Sequence, residues 1–185
     1  MPRCVGSPAT SSSGSPPERY PAVVRWDEFA RVCPEIADAA AERFRRHELC
    51  MLGTLRADGS PRISPCELDW AAGHLILGMM WQSRKALDLL RDPRCVLHTC
   101  TTDRMGREGD AKIYGRAVDV RDPDLRRSYR DAVKARIDWA PDEPNFHAFS
   151  VDVVSAGFVT FAEPRTVTAW DLERGTRVLP FPDAE

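Results

Sequence analysis

No stretch of the 185-residue chain approaches the roughly 20 consecutive apolar residues that a helix needs to cross a bilayer. No apolar segment follows Arg3 near the N-terminus, so no secretory leader and no membrane association are expected. Charge of one sign is missing as well. Lys and Arg number 26 against 28 Asp and Glu, and the net charge of −2 excludes the strongly basic surface of a general nucleic-acid binder. The one dense basic cluster, Arg43, Arg45, Arg46 and His47, falls at the end of an expected helix, where cations complement the helix dipole. There is no phosphate-binding Walker loop, no G-x-G-x-x-G turn and no G-x-S-x-G nucleophile elbow. The four histidines, His47, His74, His98 and His147, are too dispersed for a metal motif, and no metal site is expected. Six cysteines occur without a C-x-x-C pair, most of them inside apolar stretches. They read as reduced, structural thiols of a cytoplasmic protein.

What is present suffices for one domain with a sizeable core and is short for two. Residues 1–21 are rich in Ser, Pro and Gly with almost nothing to bury, and are expected to be a disordered tail. Residues 22–185 form the single expected domain. Asp27 is expected to cap a short helix, and Pro34 to open a second that presents Ile36, Ala40 and Phe44 at helical spacing. The run Leu49 to Arg56, the turn Ala57-Asp58-Gly59 and the run Pro61 to Trp70 predict a hairpin, extended by His74 to Trp81 into a three-strand meander. A helix follows with Ser83 as cap and Leu87 and Leu90 on its buried face, ending before Pro93. Cys95 to Thr101 and Ala111 to Arg121 are the next strands, separated by a polar loop, Asp103 to Asp110, expected to be mobile or ligand-covering. Asp122-Pro123 opens a helix to about Ile137, and three further strands are expected at Phe149–Val154, Ala156–Phe161 and Thr166–Asp171. Strands outnumber helices and are joined mainly by hairpins. The expected fold is mainly β (α+β), an antiparallel barrel of six to eight strands with peripheral helices.

The most informative chemistry lies in Ser83-Arg84-Lys85. The N-terminus of a helix already carries about half a positive charge, so two cations there cost on the order of 0.3–1 kcal/mol each unless an anion joins them. Backbone N–H groups, the Ser83 hydroxyl and both cations can converge on a phosphate; taken alone, the pair also reads as two solvated surface cations. In the preceding hairpin, Arg62 and Ser64 share one strand face. If that face meets the Ser83 helix, Arg62 adds a contact to the same anion; otherwise both are plain surface residues.

Ser83-Arg84-Lys85-Ala86, Leu89 and Asp92-Pro93-Arg94, at this distance from Arg62 and followed by Lys112-Ile113-Tyr114-Gly115-Arg116-Ala117, resemble the pyridoxamine 5′-phosphate oxidase-like family. The resemblance is good over roughly residues 45–125. It implies a split β-barrel homodimer with flavin mononucleotide (FMN), or a deazaflavin, at the subunit interface. Arg62, Ser64, Ser83, Arg84 and Lys85 then correspond to phosphate-holding positions, and Gly78, Met79 and Met80 to the ring or ribityl lining. Trp170 is a candidate to stack on the partner's cofactor or to fill the core. The implied activity is hydride transfer to or from a small organic molecule, with no catalytic residue assignable. The arginine-rich, tryptophan-containing closing segment of the true oxidases is absent: the chain ends Arg177-Val178-Leu179-Pro180-Phe181-Pro182 before its last residues. A lysine expected after Arg62 has no counterpart around Glu67. Both departures point away from vitamin B6 oxidation. The alternative reading is a non-catalytic flavin- or haem-binding barrel, with His74 or His98 as the axial ligand to test.

Overall fold

A computed structural model of the chain describes residues 22–181; the expected disordered tail over residues 1–21 lies outside them. Helices α1 (Trp26–Val32) and α2 (Pro34–His47) lead into β1 (Leu49–Leu55), β2 (Pro61–Ala71) and β3 (His74–Met80). Helix α3 (Arg84–Arg91), β4 (Arg94–Thr99), β5 (Asp110–Asp119), α4 (Pro123–Ile137), β6 (Phe146–Thr160), β7 (Thr166–Asp171) and β8 (Gly175–Leu179) follow. Every strand pair is antiparallel, in the order β3-β2-β1-β4-β5-β6-β7-β8, and β3 pairs again with β6. That last pairing closes a six-stranded barrel, with β7 and β8 as an extension. The mainly β fold with four peripheral helices matches the reading from sequence.

Alternation builds the barrel interior. Ala111, Ile113, Gly115 and Ala117 of β5 are buried, whereas Tyr114 and Val118 between them are exposed. Phe29, Ile36 and Phe44 from α1 and α2 join Leu52, Leu75, Leu77, Leu97, Ile113, Phe149 and Val151 in one core. Trp170 belongs to it, its ring centroid 4.9 Å from that of Phe29, so it is a packing residue within this chain. A second, smaller core lies under α4, where Tyr129 and Val133 meet Ile76, Val120, Phe146 and Ala148. Strand β3 is consequently buried on both faces, Leu75 and Leu77 toward the barrel and Ile76 toward α4.

Four local expectations are corrected. The strands expected at 149–154 and 156–161 are one 15-residue strand, because Ser155 is paired on both sides, with Tyr114 and with Asp171. Strand β8 was not anticipated; it pairs Gly175–Leu179 back onto β7. Helix α1 begins at Trp26 after Arg25, and Asp27 is inside it, accepting from the Glu28 N–H instead of capping. On α3 the buried face is Ala86, Asp88 and Leu89, whereas Leu90 is exposed. Asp122, by contrast, caps α4 as expected, its Oδ1 accepting from the Asp124 N–H at 2.9 Å.

The loop before β5 is held down. Arg43 donates from Nε to the Gly109 carbonyl at 3.1 Å and from a second nitrogen to that of Glu108, and Arg46 pairs with the Glu108 carboxylate. Arg45 lies over the Trp70 ring at 4.5 Å. The basic end of α2 therefore has specific partners beyond the helix dipole.

Candidate functional site

Helix α3 lies against β1 and β3. The turn that delivers it takes Gln82 through φ 57°, a left-handed conformation uncommon for a residue with a side chain. Ser83 has the extended backbone of an N-cap, but its hydroxyl makes no capping bond and is buried with no partner among the described residues. The first turn holds no acid. Here the expectation from dipole electrostatics meets its geometry: two cations, Arg84 and Lys85, at a positive helix end whose cap hydroxyl is unspent.

The two cations face different hollows. Arg84 lines one of about 400 Å³ with Arg56, Asp58, Arg62, Asp88 and Arg91. Four arginines against two aspartates leave an excess of two positive charges, the complement of a phosphate monoester. Arg62 is fixed there by Asp88, a carboxylate whose side chain is only 5% exposed. Arg62 Nε donates to Asp88 Oδ2 at 2.6 Å, the Thr54 hydroxyl donates to the same oxygen at 3.0 Å, and Arg91 pairs with Oδ1. Burial alone would raise the Asp88 carboxyl; the hydrogen bonds from Arg62 and Thr54 outweigh it and hold the group below its ordinary range. With Nε committed to Asp88, the guanidinium's outer nitrogens are oriented by the bond on its inner edge.

Lys85 lines the second hollow, about 580 Å³, and donates to the Pro65 carbonyl. Gly78, Met79 and Met80 line it from β3, Trp81 from the turn before α3, Tyr129 from α4, and Trp139 and Asn145 from the α4–β6 connection. Apolar and aromatic walls with a few polar groups are the usual lining of a small-molecule site. Met79 is buried and Met80 is 80% exposed, so only part of that segment's lining is anchored in the core. Gly78 is required by an internal contact: a Cβ there would sit 1.9 Å from the Tyr129 hydroxyl. Burial raises the Tyr129 phenol far above its ordinary value, so it is neutral and a donor.

Arg62 and Arg84 thus share one hollow, and Lys85, Gly78, Met79 and Met80 share another, with the Ser83 turn between Trp81 and Arg84. Ser64 is half-buried opposite Leu52 and lines neither. Asp88, Trp81, Tyr129 and His147 were not singled out from sequence. An aspartate four residues after Arg84 resembles any solvated helical acid, and nothing local announces that the barrel end will cover it. His147 is nine-tenths buried, its Nε2 has no partner among the described residues, and the Trp81 indole stacks on it with centroids 4.5 Å apart and planes 8° from parallel. Burial holds its pKa below the ordinary histidine value against the opposing pull of Asp119.

Two further histidines have partners. His74 Nδ1 lies 2.8 Å from the Ser150 hydroxyl, and His98 has Nδ1 2.7 Å from the Thr99 carbonyl and Nε2 3.3 Å from Asp110. Five cysteines are described, all free thiols, and burial pushes Cys66 and Cys95 up to about 12, so they are inert as nucleophiles. Among the described residues there is no cluster of His, Cys, Asp and Glu fit for a metal, and no helix long and apolar enough to cross a membrane.

The fold is a closed antiparallel six-stranded barrel, with a basic hollow and an aromatic hollow beside one helix start. Within that fold class the chain belongs to the pyridoxamine 5′-phosphate oxidase family, whose sequence profile matches residues 36–160. No curated protein matches the sequence. Among solved structures, a heme-binding protein from Mycobacterium smegmatis is 19% identical with a TM-score of 0.57, covering 80% of this chain and 58% of its own. ChuZ from Campylobacter jejuni is 12% identical with a TM-score of 0.65, covering 78% of this chain and 63% of its own. PhzG from Burkholderia lata 383, solved with tetrahydrophenazine-1-carboxylic acid, is 15% identical with a TM-score of 0.56, covering 83% and 91%. The chain therefore spans under two thirds of the length of the first two. At these identities the likeness is one of fold.

Proposed function

We propose that this chain is an oxidoreductase that holds FMN, its phosphate at the Ser83-Arg84 helix start and its ring system in the aromatic hollow. One observation carries the reading: an uncapped helix start with two cations, a buried hydroxyl without a partner, and an adjacent hollow with two surplus positive charges. A phosphate at the helix start answers the Arg84 charge, the unspent Ser83 hydroxyl and the surplus charge of the hollow together, while Lys85 serves the other hollow. The flavin supplies hydride transfer; the chain's residues anchor, orient and shield it. Arg62, locked by Asp88, and Arg84 neutralise the phosphate, while Lys85 and the neutral Tyr129 hydroxyl present donors at the wall of the larger hollow. Substrate is a small organic molecule reaching that hollow past Trp139 and Asn145.

The site is completed in this reading by a second copy of the chain. An outward row of Ile63, Gly53, Val96 and Tyr114 runs across β2, β1, β4 and β5, and Ile63 is 71% exposed. A contiguous apolar row on a soluble barrel favours burial against a like surface.

The cofactor is tested on purified protein. A flavin spectrum, with FMN bound more tightly than riboflavin, supports the proposal. Replacing Arg84 by Ala should weaken FMN by about tenfold or more, a charged hydrogen bond contributing roughly 1.5–3 kcal/mol before solvent screening, and should leave riboflavin nearly unchanged. Equal binding of both ligands in wild type and in the Arg84 variant overturns it. The same titrations with a deazaflavin and with haemin distinguish the two rival ligands. For haem, His147 joins His74 and His98 as a residue to mutate, because its buried Nε2 has no hydrogen-bond partner among the described residues.

A further inference from the structure

From the barrel interior outward, three rings lie in sequence. The centroids of Phe149 and His147 are 6.0 Å apart with planes at 18°, and those of His147 and Trp81 are 4.5 Å apart at 8°. Phe149 is fully buried, His147 is nine-tenths buried, and Trp81 is 54% exposed while lining the larger hollow. The parallel imidazole takes one face of the indole, and about half of the residue's surface stays accessible. Packing would not choose this arrangement for its own sake, since leaving a large aromatic face in water forgoes burial worth about 25 cal/mol per Å². The backbone after Trp81 is tightly turned. Gln82 beside it is in a left-handed conformation, and α3 starts two residues later. The indole is thus a stacked, half-exposed ring at the wall of an apolar hollow.

We infer that Trp81 is the stacking platform for the planar ring of the bound ligand, backed by His147 and Phe149, so that the ligand becomes the fourth member of the column. The inference rests on the proposed flavin site and adds to it the residue that reads the ring system, separately from those that read the phosphate. His147 contributes as a positioning residue. Its neutral imidazole lies near-parallel between the indole and the Phe149 ring, and its buried Nε2 makes it costly to protonate there. The chemistry selected is a flat, delocalised, uncharged or weakly charged heterocycle; a saturated or branched apolar ligand gains nothing from a parallel indole.

The test uses the full-length chain and four variants, with FMN, riboflavin and haemin as probes and both affinity and melting temperature measured. Trp81→Leu should weaken FMN and riboflavin by the same factor, about tenfold, as expected for loss of one aromatic stack. Trp81→Phe should recover most of that loss, and His147→Ala, which removes the ring behind the indole, should weaken both flavins by one smaller factor. Arg84→Ala should weaken FMN alone. Quenching of tryptophan emission by bound riboflavin should fall sharply in Trp81→Phe, since Trp81 would be the donor in contact. Flavin binding in wild type that is unaltered in Trp81→Leu, in a variant that melts cooperatively, overturns the inference while the flavin reading stands. If the Leu variant fails to fold, undiminished quenching in Trp81→Phe overturns it equally. Wild-type protein that binds none of the three probes overturns both readings together.

Discussion

Replacing Asp88 reaches both stability and ligand binding through one carboxylate. In Asp88→Ala the Thr54 hydroxyl, on a residue only 4% exposed, loses its acceptor, which costs about 1–3 kcal/mol for a buried group left unsatisfied. Arg62 loses a 2.6 Å charged hydrogen bond; with 24% of its side chain exposed, water recovers part of that, leaving a cost of about 1–2 kcal/mol. The expected destabilisation is about 3 kcal/mol, or roughly 6–12 °C in melting temperature for a domain of this size. Asp88→Asn keeps one acceptor oxygen and should lose about half as much. The pH dependence follows from the depressed Asp88 pKa. A carboxyl whose folded value lies below the unfolded value of about 3.9 stabilises above that value, and the contribution disappears as pH falls through the folded pKa. The gap between wild type and Asp88→Asn should therefore be full at neutral pH and close below about pH 4. Urea unfolding followed by circular dichroism at neutral and acidic pH measures it. A wild-type midpoint matched by Asp88→Ala to within about 0.5 kcal/mol, or a gap that ignores pH, refutes the claim that this carboxylate is the anchor of Arg62.

Gly78→Ala should destabilise by about 1–3 kcal/mol, because its Cβ overlaps the Tyr129 hydroxyl in a packed site. Tyr129→Phe should recover part of that loss in the double variant, and thermal melts of the four proteins of the cycle check the coupling. His147 has a lowered pKa through burial, so its contribution is intact above the unfolded value of about 6.5 and is lost as pH falls toward the folded one. His147→Phe should flatten the decline of melting temperature between neutral and mildly acidic pH, and an unchanged decline contradicts the assignment.

The sites differ in how far they could be read from residues alone. Ser83-Arg84-Lys85 was legible because it violates a local rule: cations at a helix start are unfavourable unless something else is bound, and that argument needs no neighbours. Arg62 was legible only through its spacing from that motif. Asp88 was not, because an aspartate on a short amphipathic helix is read as solvated until β1 supplies Thr54 and β2 supplies Arg62 around it. The expected grouping of Lys85 with Arg84 also ignored their 100° separation around the helix axis, which turns them toward different hollows.

The barrel class, the hairpins at Ala57-Asp58-Gly59 and Ala71-Ala72-Gly73, the start of α4 at Asp122-Pro123 and the alternation of β5 follow from short-range patterns of burial and turn chemistry, which act over a few residues. The closure of β3 on β6, the clasp of Arg62 by Asp88 and the stacking of Trp81 on His147 join residues 26 to 74 positions apart. Contacts at that range depend on register and packing across the barrel, where a one-residue slip would reverse every side chain, so only the tertiary structure decides them.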